Sequence, residues 1–316
     1  MNKITDLRFI VVSGKGGVGR TTVAATLAQV AAGAGKKVLL AAAAATDRLG
    51  RLFGHDQPLG PTITALAPGI DGVNITPASS LIEYGIKMLR SEMVSRAVFE
   101  NRAVRGLLGA IPGLDAYALL GKAWFHTTEM RDGRARYDLV VFDGPASGHA
   151  ALMLRIPQAI LNAMPKGPLA KDARDIKELL QDPARAALLM VTLAEELPAR
   201  ETLELAAQAR DTLGVPLGPV VVNALPMDAL SAPAVDAVMT ACAQGKSRVD
   251  DAARPLQATL AMAKGVRAHR EAANRVLEGL KRDLGLPMIT LPRIPTAEIG
   301  PAIIAELTPH LAEQIR

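Results

Sequence analysis

The stretch RFIVVSGKGGVGRTTVAATLAQVAAGA (residues 8–34) decides the architecture. Its opening, RFIVVS (8–13), is a β-branched apolar run that ends in glycines, which predicts a buried strand. Its close, TTVAATLAQVAAGA (21–34), is Ala-rich with apolar residues at helical spacing and predicts a helix. Between them, SGKGGVGRTT (13–22) matches the phosphate-loop pattern G-x-x-x-x-G-K-[ST] at every position but one, because Arg20 stands where the lysine belongs. The chemistry explains the pattern. Gly14, Gly16, Gly17 and Gly19 let the backbone turn sharply, so that the loop, Val18 included, brings successive N–H groups onto phosphate oxygens. The following helix directs its positive end at the same anion. Thr21 is placed to put its hydroxyl on Mg²⁺, and Thr22 to cap or touch a phosphate. A tight glycine turn without a ligand is the plainer alternative. With strand, loop, helix and hydroxyl all in register, nucleotide binding is the better reading.

Working outward, further strands are predicted at KKVLLAAAA (36–44), YDLVVFDG (137–144), ALLMVTLA (187–194), GPVVVNAL (218–225) and LPMITLP (286–292). Helices lie between them, notably over 199–213 and 257–284. Strands alternating with helices predict an α/β fold, a doubly wound, mostly parallel sheet with helices on both faces. Residues 79–131 break the rhythm with much helix and no convincing strand, so a helical subdomain is expected there, inserted in a single domain spanning 1–316. Aromatics are only 3% of the chain, so the core must be aliphatic and Ala-rich. A net charge of +5 suits an anionic ligand but is too small to argue for nucleic acid, which is not expected as a partner. The single Cys242 excludes an internal disulfide and a Cys-based zinc site within one chain. No secretory signal and no membrane-length apolar run stand in the sequence, so a cytoplasmic protein without an integral membrane segment is expected.

Lys15, directly after the first glycine in GKGGVG, resembles the signature of the deviant Walker A P-loop ATPases. DLVVFDGPASGHAALMLRIP (138–157) resembles the second switch of the ArsA/Get3 ATPases. IPGLDAYALLGKAW (111–124) resembles a segment of their helical subdomain, and VTLAEELPARETLEL (191–205) their P-E-x-L-x-x-x-E-T segment. VVVNALP (220–226) and LPRIPTAEIGPAI (291–303) resemble their adenine-contacting strand end and base-closing loop. The chain thus resembles the ArsA/Get3-type ATPases, the anion-transporting ATPase family, from residue 8 to about 305. The resemblance implies ATP/ADP with Mg²⁺ as ligands, and ATP hydrolysis. It implies that Lys15 reaches the partner's site across a dimer. It implies that Asp143 is a Walker-B-type carboxylate serving Mg²⁺ with Thr21, and that Gly144 to His149 form a phosphate-sensing switch. Asn223 would contact the adenine, with Pro292 and Arg293 in the loop that closes over it. Lys15, Arg20 and Asp143 are the catalytic candidates.

The departures matter as much as the matches. Arg20 keeps the charge of a lysine but is longer, planar and forked, where lysine acts as a compact point charge. In VLLAAAAATDRLGRLFG (38–54), the first-switch aspartate of the family falls on Ala44 and its proline on Ala45, with Asp47 three positions late. Losing one such contact costs about 10²–10³ in rate, so slow hydrolysis by this chain alone is expected. The cysteine motifs of the arsenite-pump and tail-anchored-protein branches are absent. A homodimer or, with Lys15 and the second switch retained, a heterodimer with an intact paralogue is implied. One alternative is a non-hydrolysing, nucleotide-gated module holding an apolar helix or protein client along Leu81, Gly85, Leu89, Met93, Val94, Ala97 and Val98. Such a stripe is more often core than groove. Another is a ParA/MinD-like positioning ATPase. Against it, the C-terminal segment, apolar at Ile299, Ile303, Leu307, Leu311 and Ile315, is too poor in Lys and Arg for a membrane helix and is expected to pack on the domain. NRAVRGLL (101–108) is too thin to grip DNA.

Overall fold

Strand β1 (Phe9–Gly14) is buried along its whole length, with a parallel neighbour on each side. The computed structural model that places it describes residues 3–43, 48–89, 101, 113–226, 240, 253–296 and 298–315. Ala44, Ala45, Asp47, Met93, Val94, Ala97, Val98, residues 102–108 and Cys242 lie outside the described residues, and of Leu89 only the backbone is described. β1 continues into α1 (Arg20–Gly33), β2 (Val38–Ala42) and the short α2 (Leu49–Leu52). An edge hairpin follows, β3 (Thr64–Ala67) and β4 (Ile70–Asn74), turned by Pro68 and Gly69, with Gly69 at φ 78°. Helices α3 (Pro77–Leu89) and α4 (Leu114–Thr128) come next, then a small ribbon of β5 (Met130–Arg131) and β6 (Arg134–Ala135). The remaining order is β7 (Leu139–Ala146), α5 (Ser147–Ala163), α6 (Pro168–Gln181), β8 (Ala186–Thr192), α7 (Glu196–Ala207) with a π-helical extension (Gln208–Leu213), β9 (Leu217–Leu225), α8 (Ala253–Leu284), β10 (Met288–Pro292) and α9 (Pro301–Gln314).

The sheet order is β10-β9-β8-β1-β7-β2-β4-β3, parallel throughout except for the β3–β4 edge pair. This is the doubly wound, mostly parallel sheet of a P-loop NTPase-like α/β fold. The period-2 alternation of each strand sorts its residues onto two cores. Ile10, Val12, Leu40, Val141 and Val221 face α1, α2 and α9. Phe9, Val11, Leu39, Phe142 and Met190 face α4 to α8. Small side chains on α1 (Ala24, Ala25, Ala28 and Ala31, all buried) let that helix lie close between the sheet and α9. The C-terminal segment packs on the domain through Ile304, Leu307 and Leu311, while Ile299, ahead of the helix, is exposed. No helix among the described residues is long and apolar enough to cross a membrane.

Three sequence readings need correction. The strand expected over 137–144 starts at Leu139 and runs on to Ala146, since it pairs with β1 as far as Gly14 opposite Ala146. The interval 79–131 holds a strand after all, because its last two residues form β5, paired with β6. The helix expected over 199–213 starts at Glu196 and widens into a π-helix from Gln208, where i→i+5 bonding accommodates an extra residue before Gly214.

Leu40 is fully buried in the centre of the sheet, whereas Leu152 on α5 is 53% exposed. Leu40→Ala should therefore cost about 2–5 kcal/mol and Leu152→Ala no more than ~0.5 kcal/mol, read as urea midpoints at unchanged m-value.

Candidate functional site

The carboxyl ends of β1, β7, β8, β9 and β10 meet at one edge of the sheet, where open α/β folds hold their ligands. The loop from β1 to α1 is built into that edge by close backbone approach. A Cβ on Gly14 would stand 2.0 Å from the Val191 carbonyl oxygen of β8. Gly19 has φ 90°, and a Cβ there would stand 2.2 Å from Nδ2 of Asn223. Both positions therefore require glycine. Asn223, at the end of β9, donates from Nδ2 to the Val18 carbonyl at 2.9 Å and holds the far side of the loop. No described side chain caps α1, so its first-turn N–H groups and those of the loop form an uncommitted donor set suited to an anion.

The parallel register sets Val12 opposite Asp143, which brings the second half of the site alongside. The Thr21 hydroxyl donates to Asp143 Oδ2 at 2.6 Å, and Asp143 is buried. The Ser13 hydroxyl donates to the Pro145 carbonyl at 2.9 Å. Arg20, the residue at the lysine position, donates from its guanidinium to the carbonyl of Gly144. Three residues on the β1–α1 side, Ser13, Arg20 and Thr21, are thus tied to the segment 143–145.

Lys15 makes the remaining link. Its Nζ donates to Glu201 Oε1 at 2.7 Å, and the Ser147 hydroxyl donates to Glu201 Oε2 at 2.7 Å. Glu201 on α7 therefore joins the loop lysine to the first residue of α5 with one carboxylate. The hydrogen bond from Lys15, and after it that from Ser147, hold the Glu201 carboxyl below the usual carboxylate range.

Beside the loop opens a cavity of about 300 Å³. Its walls are Gly17 to Gly19, Leu193 to Glu195, Asn223, Ala224, Pro226, His269 and Arg293. Ala224 takes φ 52°, the left-handed region that non-glycine residues rarely occupy, at the point where β9 bends past the cavity. The structure thus gathers Gly14 to Thr21, Asp143, Asn223 and Arg293 around one place. Thr22 sits in the first turn of α1, with its carbonyl accepting the Thr26 hydroxyl. Pro292 is not on the cavity wall; it ends β10 opposite Leu225 and positions Arg293. His149 lies exposed on α5. Sequence reasoning did not single out Glu201, although it stands in the quoted 191–205 stretch, because nothing in its spacing signals a lysine partner. His269 carries no signal either, being one polar residue in a long helix.

Comparison with known proteins follows the same lines. The model of the family described as anion-transporting ATPase matches residues 7–169, just over half of the chain. The chain is 30% identical to the ATPase BagA of Mycobacterium tuberculosis over 70% of its own length and 66% of that protein. It is 28% identical to the arsenical pump-driving ATPase of Escherichia coli, over 63% of this chain and 37% of the pump ATPase. With the ATPase GET3 of Kluyveromyces lactis it shares 27% identity over half of this chain and 48% of that protein. The chain therefore spans about two thirds of the length of the mycobacterial relative and less of the others.

The Glu201 pair gives a pH signature. Because its folded-state pKa is depressed, the contribution of Glu201 is fully present above the ordinary value of 4.5 and is lost as pH falls through the lowered one. The stability gap between the wild-type protein and Glu201→Gln, about 1 kcal/mol or less for a half-exposed pair, should close between pH 5 and pH 3. Urea midpoints measured across that range check this; a gap that persists at pH 3 contradicts it.

Proposed function

The chain belongs to the anion-transporting ATPase family, and from that membership we propose that it is the ATP-binding subunit of a nucleotide-dependent dimer, hydrolysing ATP slowly by itself and completing the site of an intact, related subunit. Binding draws support from the glycine-built loop, with its N–H donors and the cavity beside it. The triphosphate would lie along Gly14 to Thr22, and the base in the cavity between Asn223 and Arg293. One of the two Nδ2 protons of Asn223 is committed to the loop, which leaves the other donor and the oxygen for the base.

Mg²⁺ fits the donors at the loop's end. Thr21 Oγ1 and Asp143 Oδ2, 2.6 Å apart, are the hard oxygen atoms that this cation takes. Thr21 would hold it directly and Asp143 through water, and when bound it would neutralise charge on the phosphate oxygens.

The observation that carries the slow-hydrolysis reading is the contact of Arg20 with Gly144. The side chain at the lysine position is engaged with a backbone carbonyl of β7, and its fork is the wrong shape for a point charge between phosphates. Ala44 and Ala45 at the first switch supply no group to orient a water. Lys15 is the retained part. For it to act across a dimer it must leave Glu201, and Ser147 would then report its departure to α5.

A second reading draws on the same ties. Arg20 and Ser13 connect the loop to residues 144–145, so an occupied loop would shift α5 whether or not ATP is cleaved. A non-hydrolysing, nucleotide-gated module for a protein client would need nothing more.

Purifying the chain alone and with an intact paralogue, and measuring ATP binding and turnover, tests the proposal. The lone chain should bind ATP and turn it over at least ~10²-fold more slowly than the pair. Arg20→Lys should raise the lone rate, and Lys15→Ala should abolish the gain on pairing. A lone chain as fast as the pair sinks the dimer reading. A pair as slow as the lone chain favours the second.

A further inference from the structure

A cavity of about 400 Å³ lies between the second half of α5, the last turns of α6 and the end of the π-helical extension, and it shares no residue with the cavity beside the loop. Its volume is within the range that small-molecule sites occupy. Leu154, Leu180, Leu213 and Val215 face it, each less than a tenth exposed, and give it an apolar floor. Exposed or half-buried polar side chains surround that floor, and Arg155 and Lys177 are the charged ones. No acidic side chain lines the cavity among the described residues, so its wall carries two positive charges and no negative one.

The sequence denies both cations the usual helical partner. Other helical cations pair with a carboxylate one turn along, as in Lys171–Asp175 on the same α6 and Arg200–Glu204 on α7. The positions three and four residues from Arg155 are Ala151, Leu152, Gln158 and Ala159; those from Lys177 are Ala173, Arg174, Leu180 and Gln181. None is acidic, and neither cation has an ion pair or hydrogen bond among the described residues. The neutral groups are only partly committed. Gln158 donates from Nε2 to Asn162 Oδ1 at 2.6 Å, which leaves the Asn162 amide nitrogen to donate elsewhere. Gln181 donates from Nε2 to the Leu213 carbonyl at 2.8 Å and so fixes the end of the widened π turn against α6. Such turns recur at functional sites.

We propose that this cavity binds a small organic anion, a carboxylate or phosphate head on a compact apolar body. The planar fork of Arg155 would take two oxygens of the head in parallel, and Lys177 would add a point charge. The Asn162 amide would donate to the same head. The apolar body would lie on Leu154, Leu180, Leu213 and Val215, adding affinity with the area it removes from water. A neutral molecule of the same size would gain the apolar part alone, and a cation would meet two like charges. An inorganic anion would gain only the head contacts, at side chains where water and salt compete. Nothing in this site depends on what the loop binds.

Calorimetric titration of the full chain with phenylacetate, phenyl phosphate, benzyl alcohol, benzyltrimethylammonium and acetate separates these contributions. Phenylacetate or phenyl phosphate should bind saturably, about tenfold or more tighter than benzyl alcohol and acetate, with the cation weakest. Whichever of the two is tighter identifies the head. Arg155 is exposed, so its replacement leaves the core intact. Arg155→Gln should weaken that ligand about tenfold, the worth of a charge-assisted pair, and leave benzyl alcohol unchanged. Phenyl phosphate held by the loop would not respond to this variant, which keeps the two sites apart. Ala159→Phe, which fills the cavity from an exposed wall position without changing charge, should weaken the anion and benzyl alcohol alike. No saturable binding, equal affinity for anion and neutral probe, no loss in Arg155→Gln, or full binding by Ala159→Phe overturns the proposal. So does binding of poly-glutamate about tenfold tighter through Arg155, which would make the two cations part of a surface for acidic polypeptide.

Discussion

The site depends on one steric fact: there is no room for a Cβ at Gly14. The Val191 carbonyl of β8 occupies that space, so the loop leaves β1 pressed against its neighbour's backbone. On its other side Gly19 is pressed against the Asn223 amide, which in turn holds the Val18 carbonyl. The loop is thus held against β8 and β9 by close approaches, one to a carbonyl oxygen and one to a side-chain amide, that only glycine permits. Everything else in the site is placed by sheet register. Val12 opposite Asp143 brings the carboxylate to Thr21, and the run of β7 beyond Asp143 brings Gly144 and Pro145 to Arg20 and Ser13.

The sequence shows the centre of the fold more clearly than its edges. Strands β1, β2, β7 and β8 are legible because they are buried on both faces over most of their length and must be continuous apolar runs, β9 because its centre is, and β10, at the sheet edge, because its short apolar run is bounded by prolines. The β3–β4 hairpin escaped notice because TALA and IDGVN are rich in Ala, Gly and Asp, residues with little strand preference, and are stabilised by pairing along β2 instead. The site divides the same way. The loop, Asp143 and Asn223 are legible because their chemistry needs residue types at set distances from strand ends. Glu201, Pro226 and His269 are not, because their roles arise from where two remote segments meet, and spacing along the chain carries no record of that.

Arg20 shows how one substitution alters the state of a site without dismantling it. The guanidinium finds a carbonyl acceptor on β7, so the substitution is satisfied structurally and leaves the fold intact. What changes is the availability of charge. A lysine at that place would be a movable point charge on a flexible stem, while the arginine fork is held to a protein partner. The loop and its clamp do not depend on which cation stands there.

Glu201 has both oxygens engaged, one with a lysine from the loop and one with the hydroxyl that opens α5. A carboxylate shared in this way sets an order of events. Lys15 cannot swing outward before its ion pair opens, and the opening leaves a carboxylate still bound to α5 with a new vacancy for a cation. The step is an exchange of counter-charges at a half-exposed surface, and dissolved salt competes directly for both halves of it. Under the proposed dimer reading, the tempo of that exchange would therefore be coupled to the ionic strength around the protein.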